Sequence, residues 1–274
     1  MSAIKIIAID IDATLLNSNH QLTNTVKNAI KSASEKGIKV VLTSGRPISG
    51  IRPFLKQLDL DDRNDQYVIS FGGGVVETTS GRIISARSLS YEDYLDLQNI
   101  ATKLGLHFHV ESSERLFTSD RDLGKYTIVE GYLVNIPVCF RLPDELRNET
   151  LLKAMYIDDP ERIEEAVKHE EIFNQLSDRI TFTRSTPMYY EANPKGTDKG
   201  SALQILIDKL GLTQENVMAI GDQGNDLSMV KFAGTGIAMG NAIDELKECA
   251  QHVTSDCDHD GVAEAIETWA LSNF

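Results

Sequence analysis

Two aspartates, Asp10 and Asp12, close the apolar run in "IKIIAIDIDATLL", residues 4 to 16. An ionised carboxylate is costly to bury without a partner, so a pair at the end of an apolar strand must face water, a cation or a reaction. Strand ends are wet and an Asp can cap the turn that follows, so the pair by itself leaves both readings open. Three other segments bring complementary groups. "TSGR" sets Ser44 and Gly45 after a second apolar run, "GDQGND" sets Asp222, Asn225 and Asp226 after a third, and Lys199 opens the helical stretch "TDKGSALQILIDKLG". Two or three carboxylates at one edge suit Mg2+, which takes few carboxylates, several waters and a phosphate oxygen. A lysine at a helix N-terminus, with a hydroxyl and free backbone N–H groups, makes a phosphate cradle. Any one segment could be an ordinary polar loop; four placing matched chemistry at strand ends by chance is the weaker reading.

The elements that must position these residues follow from periodicity. Residues 4 to 10 read as a strand. "LTNTVKNAIKSASEKG" then has Thr23 as N-cap, an apolar stripe at Val26, Ala29, Ile30 and Ala33, and Gly37 as its stop. "IKVVLTSGRP" repeats the plan, with Pro47 where a helix can begin. Strand, helix, strand, helix implies a parallel sheet, and ligands of such sheets lie beyond the carboxyl ends of the strands. From Tyr67 to about Ser85 the pattern becomes a strand and a hairpin. Residues 86 to 189 mix helical stretches ("YEDYLDLQNIATKLG", "DPERIEEAVKHEE") with strand-like ones ("KAMYID", "ITFTRS"). The alternation resumes near Pro194, with a helix stopping at Gly211, a strand "VMAIGD" and three further helices with two short strands. The expected organisation is an α/β core of doubly wound parallel sheet, residues 1–85 and 190–274, interrupted by an inserted α+β domain over 86–189.

Composition narrows the partners. Among 274 residues, 41 acidic against 27 basic side chains give a net charge of −14, which repels nucleic-acid backbones and anionic membrane surfaces. No nucleic-acid partner is expected. Three cysteines, Cys139, Cys249 and Cys257, show no CxxC spacing, which suggests a reducing compartment and no zinc cluster. The N-terminus lacks a signal-peptide core and no stretch is long enough for a membrane span, so the cytoplasm is the expected location.

The order "DIDATL", "TSGR", "DKGSAL", "GDQGND", with an insertion between the second and third, resembles the haloacid dehalogenase superfamily of phosphatases. The match is closest to the Cof type with a large cap, and within it to the YidA sugar phosphatases. It spans nearly the whole chain, including "LSYEDY", "HFHVES" and "KYTIVEGYLVNIP", and ends in "IAMGNA" and "DGVAEAI". The resemblance implies that Asp10 is the nucleophile, forming an aspartyl-phosphate, and that Asp12 is the general acid and then base. It implies Mg2+ held by Asp10, Asp222 and the backbone carbonyl of Asp12, with Asp226 supporting the metal indirectly. Ser44, Lys199, Asn225 and the backbone of Ile11 and Gly45 would hold the phosphoryl oxygens, and the cap would close over the site and choose the leaving group. The implied substrate is a small phosphate ester, such as a sugar phosphate; oligomeric state is not implied.

Two positions depart from the family pattern. Ala13 stands where Gly usually follows the second aspartate, which would strain a positive φ by roughly 1 kcal/mol or more. Gly72 in "SFGGG" stands where relatives often have Asn. Other signals are discounted. "DCDHDGVAEAIE" (256–267) fits the calcium-loop pattern at every required position, yet no helix enters it and "GVAEAIE" is already the exiting helix, so a capped helix start is expected. His107 and His109 share one face of an expected strand without an evident third ligand, which favours a structural or surface role. The rival functions are a catalytically weak sugar-phosphate binder, towards which Ala13 leans, and a phosphotransferase or mutase on the same scaffold.

Overall fold

A computed structural model describes residues 3–272. The apolar run forms β1 (Ile6–Asp10), buried along its whole length. Thr23 accepts the Val26 N–H to cap α1 (Asn24–Glu35), whose Val26, Ala29, Ile30 and Ala33 stripe is buried. β2 (Lys39–Thr43), α2 (Ile48–Gln57), β3 (Tyr67–Ser70), β4 (Val75–Thr78) and β5 (Ile83–Ala86) follow. An intervening stretch holds α3 (Tyr91–Leu104), β6 (Phe108–Glu111), β7 (Leu116–Thr118), α4 (Lys125–Leu133), β8 (Val138–Phe140) and β9 (Lys153–Ile157). It continues through α5 (Pro160–Val167), α6 (Glu170–Asn174), β10 (Ile180–Thr186) and β11 (Tyr189–Pro194). The chain then runs through α7 (Lys199–Leu210), β12 (Val217–Gly221), α8 (Leu227–Phe232), β13 (Thr235–Ala238), α9 (Asp244–Cys249), β14 (His252–Val253) and α10 (Gly261–Ala265).

These elements make two compact units. The first takes the chain up to Gly45, Ile51–Ser85 and the stretch from Asp198 on. Its sheet has the order β14-β13-β12-β1-β2-β3-β4-β5, parallel from β14 through β3, with β4 antiparallel to β3. β1 is central, in register with β2 on one side (Ile6 with Lys39) and β12 on the other (Ile6 with Val217). The chain winds outward in both directions from there, so the carboxyl end of β1 lies at the switch point where α/β sheets bind ligands. Strands covered on both faces need continuous apolar sequence, which is why "IIAI", "VVL" and "VMAI" show no alternation.

The second unit takes Ala86–Thr197 together with Arg46–Gly50. Its sheet, in the order β10-β11-β9-β6-β7-β8, is antiparallel except between β7 and β8. β11 pairs with both β9 and β10, so this unit extends past the expected boundary at 189 to Thr197. Its core packs Tyr94, Phe108, Tyr156 and Phe173, with Phe108 and Tyr156 rings 5.2 Å apart. The other face of β6 and β9 carries His109, Glu111 and Lys153, all buried. Among the described residues, no helix is long and apolar enough to cross a membrane.

Candidate active site

The first unit gathers its polar residues at the carboxyl ends of β1 and β12. β1 delivers Asp10, only 7% exposed, directly from the sheet. α7 begins at Lys199, which Asp198 helps to set by capping the helix through the Ser201 N–H. Lys199 is 1% exposed and its Nζ donates to Asp10 Oδ1 at 2.5 Å and to Asp226 Oδ1 at 2.6 Å. One buried cation therefore bridges the end of β1 and the loop after β12. Asp226 Oδ2 accepts the Asp222 and Gln223 N–H groups at 2.9 and 3.0 Å. This inward fold requires Gly221, since a Cβ there would lie 2.5 Å from the Asp226 Cβ.

Asp222 completes the group. Its Oδ1 accepts the Thr14 hydroxyl at 2.9 Å, while its Oδ2 is buried with no hydrogen-bond partner. Asp10, Asp222 and Asp226 each offer an oxygen within 4.8 Å of the others. Burial, then the neighbouring Asp226 carboxylate, outweigh Lys199 and push the Asp10 carboxyl up to about 8. Burial chiefly raises Asp222, to about 6. For Lys199, burial works downward, but Asp10 and Asp226 prevail and hold it above its ordinary value. The set thus carries more buried negative charge than its lysine neutralises. An orphaned carboxylate oxygen and two carboxyls driven upward by desolvation fit a divalent cation, which would supply the missing positive charge. Both oxygens of Asp226 are already engaged by protein donors, so Asp10 and Asp222 are the better direct ligands.

The other expected residues divide. Ser44 is buried after β2, with its N–H donating to the Ile69 carbonyl at 2.9 Å and its carbonyl accepting the Gly72 N–H at 2.9 Å. Gly72 reaches that carbonyl with φ 63, the left-handed conformation that Asn also tolerates. Gly45, Asn225 and Asp12 are exposed, and Ile11 is buried. Asp12 and Ala13 lie in a tight turn over Ile11–Leu15, where Ala13 adopts φ 57 and ψ 14. The positive φ that would strain Ala13 is thus present.

Thr14 and Asn241 escaped the sequence reading. Thr14 could have been flagged, because a hydroxyl just past an Asp pair at a strand end is well placed to support another carboxylate. Asn241 donates from Nδ2 to the Ala13 carbonyl at 2.9 Å. It stands 228 residues away from Ala13, and no local signal links them. The histidines part company in the second unit: His107 Nδ1 lies 3.1 Å from Asp120, whereas His109 is fully buried 3.5 Å from Glu111. Among the described residues, neither joins a group of three metal-ligating side chains. In the calcium-like stretch, β14 precedes the turn and α10 already starts at Gly261. Asp256 accepts the Asp258 and His259 N–H groups, so it acts as a cap.

A mostly parallel open sheet with paired carboxylates and a lysine at its switch point places the chain among α/β proteins that bind ligands beyond the carboxyl ends of their strands. Residues 7–266 match the model of the haloacid dehalogenase-like hydrolase family, and the chain belongs to that family. The Streptococcus pyogenes serotype M6 protein named "Putative phosphatase M6_Spy0533" is 39% identical over 98% of this chain and 100% of its own length. The Bacillus subtilis 5-amino-6-(5-phospho-D-ribitylamino)uracil phosphatase YcsE is 32% identical over 98% of this chain and 96% of its own length. A haloacid dehalogenase-like hydrolase from Bacteroides thetaiotaomicron superposes with a TM-score of 0.87 at 32% identity, covering 96% of this chain and 98% of that one.

Proposed function

We propose that this protein is a Mg2+-dependent phosphatase of small phosphomonoesters, sugar phosphates in particular, acting through an aspartyl-phosphate on Asp10. The observation that carries the reading is Asp10 at the end of β1, sharing Lys199 with Asp226 beside the orphaned oxygen of Asp222. Asp10 and Asp222, with the Asp12 carbonyl, would hold Mg2+, which when bound offsets the repulsion between carboxylate and phosphate. An Asp10 oxygen attacks phosphorus as the bond to the leaving oxygen breaks, and Asp12 gives that oxygen a proton. Asp12 then takes a proton from water, whose oxygen attacks phosphorus, freeing Asp10 and inorganic phosphate. The exposure of Asp12 suits a group that must meet both leaving group and water. Lys199, Ser44, Asn225 and the N–H groups near Ile11 and Gly45 hold the phosphoryl oxygens as charge shifts. The substrate printed in the name of YcsE is a phosphate ester of a ribityl chain, which supports a phosphorylated sugar or polyol here. The left-handed Ala13 favours a second reading, a weakly active binder on the same fold.

Phosphate release from p-nitrophenyl phosphate and a panel of sugar phosphates, with Mg2+ or EDTA, tests this in wild type and Asp10→Asn. We expect release that falls at least about 1,000-fold on either change, in the range of losing an activated nucleophile. Folded wild type that releases nothing from any ester would overturn the hydrolase and leave the binder.

A further inference from the structure

The turn that carries Asp12 contains a residue in an unfavourable conformation. Ala13 sits at φ 57, ψ 14, where a side chain with a Cβ loses a factor of about 5 to 30 in population relative to glycine. The local bonds of the turn are made on either side of it. The Leu16 N–H closes the turn on the Ile11 carbonyl at 3.0 Å, and Thr14 is held by Asp222. Asn241, from the loop after β13, reaches Ala13 itself. Its Nδ2 donates to the Ala13 carbonyl at 2.9 Å while its Oδ1 accepts the Cys257 N–H at 2.9 Å. The two bonds use the opposite ends of one amide, so the side chain has a single sensible orientation.

Asn241 is itself anchored. The preceding Gly240 donates its N–H to the Ser255 carbonyl at 3.1 Å, and a Cβ on it would meet the Asp256 nitrogen at 2.7 Å. The turn after Asp256 grips the same stretch of chain further along. Asp258 Oδ1 accepts the Ser18 N–H at 2.9 Å, and Asp260 Oδ1 accepts the Thr23 hydroxyl at 2.6 Å. The carboxylates that imitate a calcium loop are therefore committed to protein donors, and they brace the segment between β1 and α1.

We infer that Asn241 is a positioning residue for Asp12, holding the adjoining Ala13 carbonyl so that an alanine keeps a turn that glycine would keep unaided. The inference rests on Asp12 serving as the acid and base. Wild type, Asn241→Ala, Ala13→Gly and the double variant form a cycle, read by steady-state hydrolysis of p-nitrophenyl phosphate in Mg2+ and by thermal unfolding without metal. We expect Asn241→Ala to lower kcat about tenfold with KM within twofold, and the same change on the Ala13→Gly background to cost less than about twofold. Asn241→Asp keeps the acceptor for Cys257 but has no N–H for Ala13, so it should lose kcat as the Asn241→Ala enzyme does. Equal losses on both backgrounds, or an Asn241→Asp enzyme with wild-type kcat, would overturn the inference. A wild type that releases no phosphate would refute the hydrolase instead. The melting temperatures then still decide, since the drop from Asn241→Ala must be larger with Ala13 in place than in the Ala13→Gly protein, and equal drops reject the coupling.

Discussion

Single residues at the site are constrained by space as much as by charge. Gly221 sits at the end of β12 against Asp226, with room for no Cβ. Gly221→Ala should cost about 1–3 kcal/mol through overpacking and push Asp226 off the Asp222 and Gln223 N–H groups. Because Asp226 also holds Lys199, the shift reaches Asp10, and a displacement near 1 Å is worth about 100-fold in rate. A lower melting temperature together with that loss of kcat is the expected pair; full activity in a destabilised protein would show that Asp226 need not hold its place.

At the scale of elements, β6, β9 and β11 put a charged group inside the second unit. Lys153 Nζ lies 3.3 Å from Glu111 and 4.0 Å from Glu191, with Lys153 and Glu111 buried. Burial drives Glu111 upward, but Lys153 and then His109 outweigh it and leave the carboxyl below its usual range. A depressed carboxyl contributes stability above its unfolded value, and that contribution fades as pH falls through the folded value. Lys153→Met removes the main compensating charge and leaves Glu111 buried with His109 beside it, which costs about 3–5 kcal/mol. That carboxyl then titrates upward, so the cost should be largest near pH 7 and shrink towards pH 4 as Glu111 takes a proton. Urea unfolding of both proteins across that range measures it. A cost independent of pH would show that Lys153 does not act by holding Glu111 ionised.

For the whole molecule, metal and stability are linked through the first unit. Asp10 and Asp222 sit near 8 and 6, both above an ordinary 3.8, so the metal-free native state keeps protons that the unfolded chain releases. The contribution of these two groups to its stability therefore declines as pH rises from about 4 to 8. On the proposed site, Mg2+ would have to displace those protons, so binding would be favoured at the upper end. At a hundredfold excess over Kd the metal adds about 2.7 kcal/mol, several degrees of melting temperature for a chain of this size. The shift should be larger at pH 8 than at pH 5.5, with NaCl matching ionic strength to remove general screening of the −14 charge. An equal shift at both pH values would place Mg2+ away from these carboxylates.

By itself the sequence determined the winding of the first unit, because continuous apolar runs, Thr23, Gly37 and Gly211 act within a few residues of where they stand. It also singled out the ends of β1 and β12 as candidates for chemistry, since two aspartates after "IIAI" and "GDQGND" after "VMAI" are legible without neighbours. Tertiary structure alone decided what those groups meet. Lys199 joins Asp10 across 189 residues and Asn241 holds Ala13 across 228, pairings that no local period encodes. It also separated His107 from His109 and carried the second sheet through β11, whose strand character depends on β9 and β10 rather than on its own pattern. Local propensity and burial period act along the chain, whereas charge pairing and close approach depend on which distant backbone the fold brings alongside.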